Sequence, residues 1–440
     1  MKSHRAVAGH GGLLSKVVNH MQVSVLGEAR FPSPVGRTVD EQRRVPARIA
    51  CPPGTPPEGE LFFEVAGPRP MLYFDPKATR AGIVTCGGLC PGLNNVIRSL
   101  FLEMHHGYGV AEVFGFRFGY QGLDPVRGPE PLLLTTELVR DIHKQGGTLL
   151  GTSRGPVDIG AAVDNLIRRR VNILFTIGGD GTQRGANALH QEACRRGYAL
   201  AVVGIPKTVD NDVAYVSRSF GYLTAVEEAC RVIDCAHTEA TSVLNGISLV
   251  KLMGRHAGFI AGGAAVASQD ANFVLVPEVP FRLDGERGFL AALQARILAR
   301  AHAVVVAAEG AGQELMGNTG GDRDASGNVK LRDIGVFLRE RIETHFRAIG
   351  IQVVVRYFDP SYIIRSRPAD SEDAILCDLF ARNAVHAAMA GKTDLIVGLL
   401  HDTFIHVPIE MLATQKKQID PDGPAWRAVL ACTGQPARFE

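Results

Sequence analysis

The chain has 440 residues, more than one ordinary core fills, so two domains or one core with large decorations are expected. Its 46% hydrophobic and 21% charged residues are those of a globular chain and exclude a mainly disordered one. Lys and Arg total 47 against 45 Asp and Glu, and the net charge of +2 excludes a global attraction to nucleic acid or to an acidic membrane; any anion site must be local.

Residues 1–30 hold basic residues and a short apolar patch, but His10, His20 and Glu28 interrupt it and no small-residue cleavage site follows, so no secretory signal is expected. Nor does any segment approach the ~20 apolar residues of a membrane span. Residues 31–70 are proline-rich and turn-prone, including Pro52-Pro53-Gly54-Thr55-Pro56-Pro57, and 1–75 reads as an extension wrapped on the surface or partly disordered. From Arg80 short apolar runs end in glycine turns and lead into helices. Ala81–Thr85 precedes a helix over Asn94–Met104, Val171–Ile177 precedes one over Thr182–Arg195, and Leu200–Ile205 stops at Pro206. Strand, glycine turn and helix in repetition mark a parallel α/β sheet. After a long helix, Leu223–Ala240, a second set of strands is expected at Gly246–Leu252, Phe273–Val276, His302–Ala308 and Ile351–Val355. Gly317–Lys330 reads as an exposed loop before a helix over Leu331–Ile349; residues 371–390 form another helix and Leu395–Leu400 a last strand.

The eight cysteines, 51, 86, 90, 194, 230, 235, 377 and 432, are scattered, which fits reduced thiols in a cytosol. Cys86 and Cys90 lack a second Cys/His pair to complete a zinc site and read as small buried residues.

Three strand-to-turn junctions carry chemistry. In Cys86-Gly87-Gly88-Leu89-Cys90-Pro91-Gly92, glycines let backbone N–H groups approach an anion at the positive end of the following helix. In Gly178-Gly179-Asp180-Gly181 a lone carboxylate stands at such a turn, suited to Mg²⁺ shared with phosphates, or alternatively to capping the helix. In Pro206-Lys207-Thr208-Val209-Asp210-Asn211-Asp212 two acids at i and i+2 repel unless a cation, proton or hydroxyl lies between them, and such a carboxylate can take the proton of an attacking sugar hydroxyl. Arg154, Arg255, Arg356 and Arg365, beside glycine or aromatic residues, are the candidates for gripping phosphate through their bidentate forks.

Together these residues resemble the phosphofructokinase family, from about Gly82 to Leu400. The strings Thr85–Arg98, Gly147–Arg154, Gly178–Gly181, Pro206–Asp212 and Lys251–Arg255 stand in the family's order, and Gly119–Leu123 and Val276–Pro280 are also similar to it. The resemblance implies two similar three-layer α/β/α lobes with largely parallel sheets and an active site in the cleft between them. It divides the chain into an N-terminal extension, 1–75, a nucleotide-binding lobe, 76–221 with 364–414, and a sugar-phosphate-binding lobe, 222–363 with 415–440. It implies phosphoryl transfer from ATP, with Mg²⁺, to the 1-hydroxyl of fructose 6-phosphate in a cytoplasmic, allosteric homodimer or homotetramer. By motif position the catalytic residues are Asp210, as base, with Thr208, Arg154 and Arg255. The nucleotide side takes Gly87, Arg154, Gly179, Asp180, Gly181, Thr182, Gly185 and Lys207, with Asp180 on the metal. The sugar phosphate takes Thr208, Asp210, Asp212, Met253, Gly254, Arg255, Glu309, Arg356, Tyr362 and Arg365.

Leu89 in place of an acid, Tyr362 in place of His, and Gly246 near the position of an arginine lent by a neighbouring subunit are more similar to the long-chain branch of plants and trypanosomes, close to the pyrophosphate-dependent enzymes. The donor question turns on two residues. Pyrophosphate users typically pair the lysine at 207 with Gly-Gly-Asp-Asp; here Gly181 leaves empty the volume where a carboxylate would repel the α-phosphate of ATP. ATP is therefore the expected donor, with a pyrophosphate-dependent enzyme as the alternative. Lipid and NAD kinases share the Gly-Gly-Asp-Gly turn but not the Pro206–Asp212 string, and intact Asp180, Asp210 and Arg255 argue against a non-catalytic subunit.

Overall fold

The computed structural model describes residues 19–49, 61–317, 322–323, 329–413 and 416–440. Expectations for residues 1–18, for the Pro52–Pro57 run with Cys51, and for 318–321 and 324–328 of the exposed loop lie outside the described residues.

The larger sheet is built on five parallel strands, in spatial order Glu112–Phe116, Arg80–Thr85, Ile173–Gly178, Ala201–Pro206 and Leu395–Leu400. Every residue of the last three is buried, which is what continuous apolar runs without alternation require when both sheet faces are covered. Helices Leu93–Leu102, Asp180–Arg195 and Ser371–Met389 pack on this sheet or on each other. The register pairs Ile177 with Thr85 on one side and Ile205 on the other, so three strands end at the same level. Beyond Leu395–Leu400 the sheet turns antiparallel through Thr403–Pro408.

The smaller sheet has four parallel strands in the order Phe273–Leu275, His302–Ala308, Gly246–Leu252 and Val354–Phe358. Its two faces separate by the two-residue strand period. Ile247, Leu249, Ala303 and Val305 pack with Phe289, Leu293, Leu338 and Ile342 of helices Phe289–Arg300 and Ile334–Ala348. Val250, Leu252, Val304 and Val306 pack with Ala229, Ile233, Ile260 and Ala264 of helices Tyr222–Thr241 and Phe259–Ser268. Trp426, on the C-terminal helix Pro424–Thr433, is buried in that second cluster. Both units are thus three-layer α/β sheets.

Two expectations move. The strand expected at Ile351–Val355 lies at Val354–Phe358, because its register is fixed by the pairing of Gly246 with Val354 through Val250 with Phe358. Arg356 and Tyr357 hide it from an apolar-run reading. Within the supposed surface extension, Leu61–Val65 is a strand of the larger sheet, antiparallel to Thr403–Pro408, and Phe63 is wholly buried. Glu64 in that strand accepts from Arg69 Nη2 at 2.5 Å and pairs with Lys392 at 2.8 Å, while His406 Nδ1 lies 3.6 Å away. Burial alone would raise the Glu64 carboxyl, but His406 and Lys392 outweigh it and hold it far below the usual range. Its partners come from positions 5, 328 and 342 residues away, so the burial of its one charged residue shows only once they are assembled.

Candidate active site

The carboxyl ends of both sheets face one cleft of about 1260 Å³. Ligands collect at such ends because the glycine-rich turns leaving them expose backbone N–H groups to the crevice. From the larger sheet come Gly87–Gly88, Gly179–Thr182, Lys207–Asp210 and Asp212; from the smaller come Met253, Arg255 and Glu309, with Tyr362 and Arg365 from the segment after Val354–Phe358.

Gly87 sits at φ +82, a backbone state open to glycine at little cost. Its N–H donates to the Ser153 carbonyl at 3.2 Å and its carbonyl accepts from Thr152 Oγ1 at 2.6 Å, which ties the first turn to the Gly151–Arg154 loop. A methyl at Gly88 would lie 3.3 Å from Arg154 Nη2 and 3.5 Å from Arg365 Nη1. Two guanidinium groups therefore converge over a residue with no side chain, an arrangement that suits a phosphoryl group.

Helix Asp180–Arg195 starts behind Gly179, and no side chain caps it, so the alternative in which Asp180 is the cap does not hold. The Asp180 side chain is 40% exposed, with Lys416 Nζ at 3.4 Å from Oδ2. At Gly181 an added methyl would meet, among the described residues, only Arg184 Nη2, at 3.7 Å, so this position is open. Among the described residues no cluster of three or more His, Cys, Asp or Glu could hold a metal alone. Asp180 is a single hard carboxylate beside a glycine turn, a donor that fits an ion able to take its remaining ligands from phosphates and water. Thr182 lines the cleft, whereas Gly185 does not: a methyl there would come within 2.4 Å of the Tyr120 ring, whose hydroxyl donates to the Thr182 carbonyl at 2.5 Å. Gly185 makes room for Tyr120.

Lys207 is buried and donates to the Gly88 carbonyl at 2.8 Å; burial is the main reason its pKa falls. The ammonium thus spends a hydrogen bond on fixing the first turn. Thr208 Oγ1 donates to Asp212 Oδ1 at 2.7 Å and accepts the Asp210 N–H at 3.2 Å. Asp210 Oδ2 accepts the Arg255 N–H at 3.3 Å, and Oδ1 is buried without a hydrogen-bond partner among the described residues. Burial first, then the charges of Asp212 and Glu309, push the Asp210 carboxyl up to about 7. Glu309 is itself raised, chiefly by burial.

On the smaller sheet Met253 and Glu309 line the cleft directly beyond the paired strand ends Leu252 and Ala308. Gly254, at φ +132, shapes this turn through its carbonyl, which accepts the Gly310 N–H at 3.0 Å, and does not line the cleft. Tyr362 is 79% exposed, with the Arg365 guanidinium 4.8 Å from its ring centre. Arg356 is not brought in: it pairs with Glu239 at 2.7 Å away from the cleft lining. Sequence reasoning missed Lys416, Arg184 and Ser361, which line the cleft; the only trace of the first was a Lys416-Lys417 pair in a polar stretch. Cys86 and Cys90 are buried thiols, each pushed up to about 12 mainly by burial.

A family model described as phosphofructokinase matches residues 80–388. The chain is 47% identical over 383 residues to an ATP-dependent 6-phosphofructokinase of Borreliella burgdorferi, covering 86% of each chain. It is 48% identical over 376 residues to an ATP-dependent 6-phosphofructokinase of Trypanosoma cruzi, covering 85% of this chain and 77% of that one. A crystal structure of a pyrophosphate-dependent phosphofructokinase from Marinobacter aquaeolei has the same fold, with a TM-score of 0.66 at 21% identity over 82% of this chain and 93% of that one. With glycine turns, paired acids and converging arginines gathered in one interlobe cleft, the chain belongs to the phosphofructokinase family.

Proposed function

We propose that this chain is an ATP-dependent 6-phosphofructokinase, forming fructose 1,6-bisphosphate and ADP. The observation that carries the reading is Asp210: a carboxyl lining the cleft, one oxygen fixed by a backbone N–H and the other buried and without a hydrogen-bond partner among the described residues. A sugar 1-hydroxyl donating to Oδ1 would satisfy that oxygen and be poised for deprotonation. As the hydroxyl oxygen bonds to the γ-phosphorus, Asp210 takes its proton and the bond from phosphorus to the β,γ-bridging oxygen breaks, with ADP leaving. Phosphoryl transfer asks a protein mainly for alignment and charge neutralisation. Arg154 and Arg255 supply neutralisation on the transferred group. Gly87, Gly179, Gly181 and Thr182 leave backbone room for the nucleotide phosphates, and Met253, Glu309, Tyr362 and Arg365 receive the sugar phosphate. Asp180 would hold Mg²⁺, which when bound with ATP neutralises the β- and γ-phosphates. The nucleotide lobe is assigned to 76–221 with 364–414 and the sugar-phosphate lobe to 222–363 with 415–440. A cytoplasmic homodimer or homotetramer is part of the same reading, and molar mass in solution tests the assembly.

ATP is favoured over pyrophosphate because the volume beside Gly181 is open and because Lys207 is held on the Gly88 carbonyl. The test is turnover of fructose 6-phosphate by the purified chain with Mg²⁺ and either donor. Turnover with ATP is expected, and turnover with pyrophosphate alone would overturn the donor assignment.

A further inference from the structure

Four consecutive residues, 416–419, of which Lys416 lines the cleft, are each bonded to a different loop. Lys416 reaches Asp180. Lys417 Nζ donates to Asn211 Oδ1 at 2.9 Å and to the Val216 and Ser217 carbonyls at 2.8 Å each, while its N–H donates to the Asp212 carbonyl at 3.1 Å. Gln418 Nε2 donates to the His256 carbonyl at 2.8 Å. The Ile419 N–H donates at 2.9 Å to Glu278 Oε1, which also accepts the Gly258 N–H at 2.9 Å.

Lys417 has three donors and three acceptors around them, with the Phe259 ring centre 5.1 Å away on another side. An ammonium so committed is neither a solvated surface charge nor a hand held out to substrate; it is a tie. What it ties is the Asp210 loop. Asn211, the next residue, stands at φ +57, and its Oδ1 accepts the Ser219 N–H at 3.0 Å as well as Lys417 Nζ, so two donors brace a left-handed turn beside the carboxyl. The turn that follows Met253 is held by the next two residues of the same segment, through Gln418 to His256 and through Ile419 and Glu278 to Gly258. Asp210 and Arg255 touch each other where these loops meet.

We propose that residues 417–419 are a strap fixing the Asp210 loop against the Arg255 loop, and that Lys417 is its pin, a positioning residue for phosphoryl transfer acting through Asn211. The inference rests on the phosphofructokinase reading for its kinetic consequence but not for its geometry. Lys417 touches neither reacting atom, so its loss displaces the base without removing a substrate contact, and small misplacements are costly to the chemical step.

Three variants of the full chain test this. Lys417→Met keeps the stem and removes the three donors; Asn211→Ala removes one receiver; Gln418→Ala cuts the other end of the strap at an exposed side chain and guards against a misfolded first variant. Lys417→Met is expected to lower kcat by about 10- to 100-fold with both KM values within about threefold. The Lys417→Met/Asn211→Ala double variant should be no slower than the slower single, as expected for two residues acting through one tie. Gln418→Ala should lower kcat severalfold. Unchanged kcat in both Lys417→Met and Gln418→Ala, fully additive losses in the double variant, or a rise in KM for fructose 6-phosphate at constant kcat would each overturn the proposal. Amide exchange separates the strap from the activity. Even if the wild-type chain turned over no fructose 6-phosphate, Lys417→Met should speed exchange in residues 207–219 more than in the two sheets, and unaltered exchange would overturn the strap.

Discussion

The Arg255 N–H donates to Asp210 Oδ2 at 3.3 Å, so a backbone group leaving the smaller sheet fixes the carboxylate that leaves the larger one. The position of this carboxylate therefore depends on the approach of the two sheets as well as on its own loop. Asp210 also sits among Asp212 and Glu309 in a buried setting, which makes its proton unusually hard to lose.

Because a general base must be ionised, kcat/KM should rise with pH through about 7, the value to which burial and the neighbouring acids push Asp210. A pH–rate profile with fructose 6-phosphate varied and ATP saturating checks this. Activity level from pH 5 upward would show another base.

The same shift predicts a trade between activity and stability. A carboxyl whose pKa is raised on folding binds its proton better in the folded chain, so it contributes stability below its unfolded value of 3.8 that is lost as pH rises through about 7. Asp210→Asn, neutral at every pH, should raise Tm more at pH 8 than at pH 5 while reducing kcat by several orders of magnitude. Thermal unfolding at the two pH values, beside turnover, reads both effects.

Gly181→Asp should fold normally, since the first atom of a side chain there meets only the end of Arg184, at 3.7 Å. Its charge beside the nucleotide phosphates should lower kcat/KM for ATP by about 100-fold or more, with the fructose 6-phosphate KM little changed. Steady-state kinetics with each substrate varied in turn checks the split.

Glu64→Ala should cost about 3–5 kcal/mol, because it strands buried Arg69 and Lys392 without their shared carboxylate. Gly185→Ala should cost about 1–3 kcal/mol by driving a methyl to within 2.4 Å of the Tyr120 ring. Denaturant titrations measure both, and catalytic constants per folded molecule should move less for Glu64→Ala, since Glu64 is outside the lining whereas Gly185 packs against Tyr120, which is part of it.

By itself, the sequence determined most of the strands from Arg80 to Leu400 and the glycine turns that leave them, though not the strand Glu112–Phe116 or the helices Ile159–Arg168, Phe259–Ser268 and Phe289–Arg300. Apolar runs such as Ile173–Gly178 and Leu395–Leu400 are legible because burial on both faces demands unbroken hydrophobicity, and glycine turns are legible because only glycine leaves room for phosphate against backbone. Tertiary structure decided the rest. Leu61–Val65 is a strand whose buried Glu64 finds a cation in Lys392, 328 residues away. Arg356 and Gly185 left the lining because an ion pair with Glu239 and the Tyr120 ring claimed them. Lys416 joined the cleft lining and Lys417 the Asp210 loop from a polar segment with no periodicity to announce it, because the pair with Asp180 and the bonds to Asn211, Val216 and Ser217 exist only after the chain has closed on itself. Local patterns record how much surface each residue must bury; which polar groups meet is fixed only by folding, since those partners are distant in sequence.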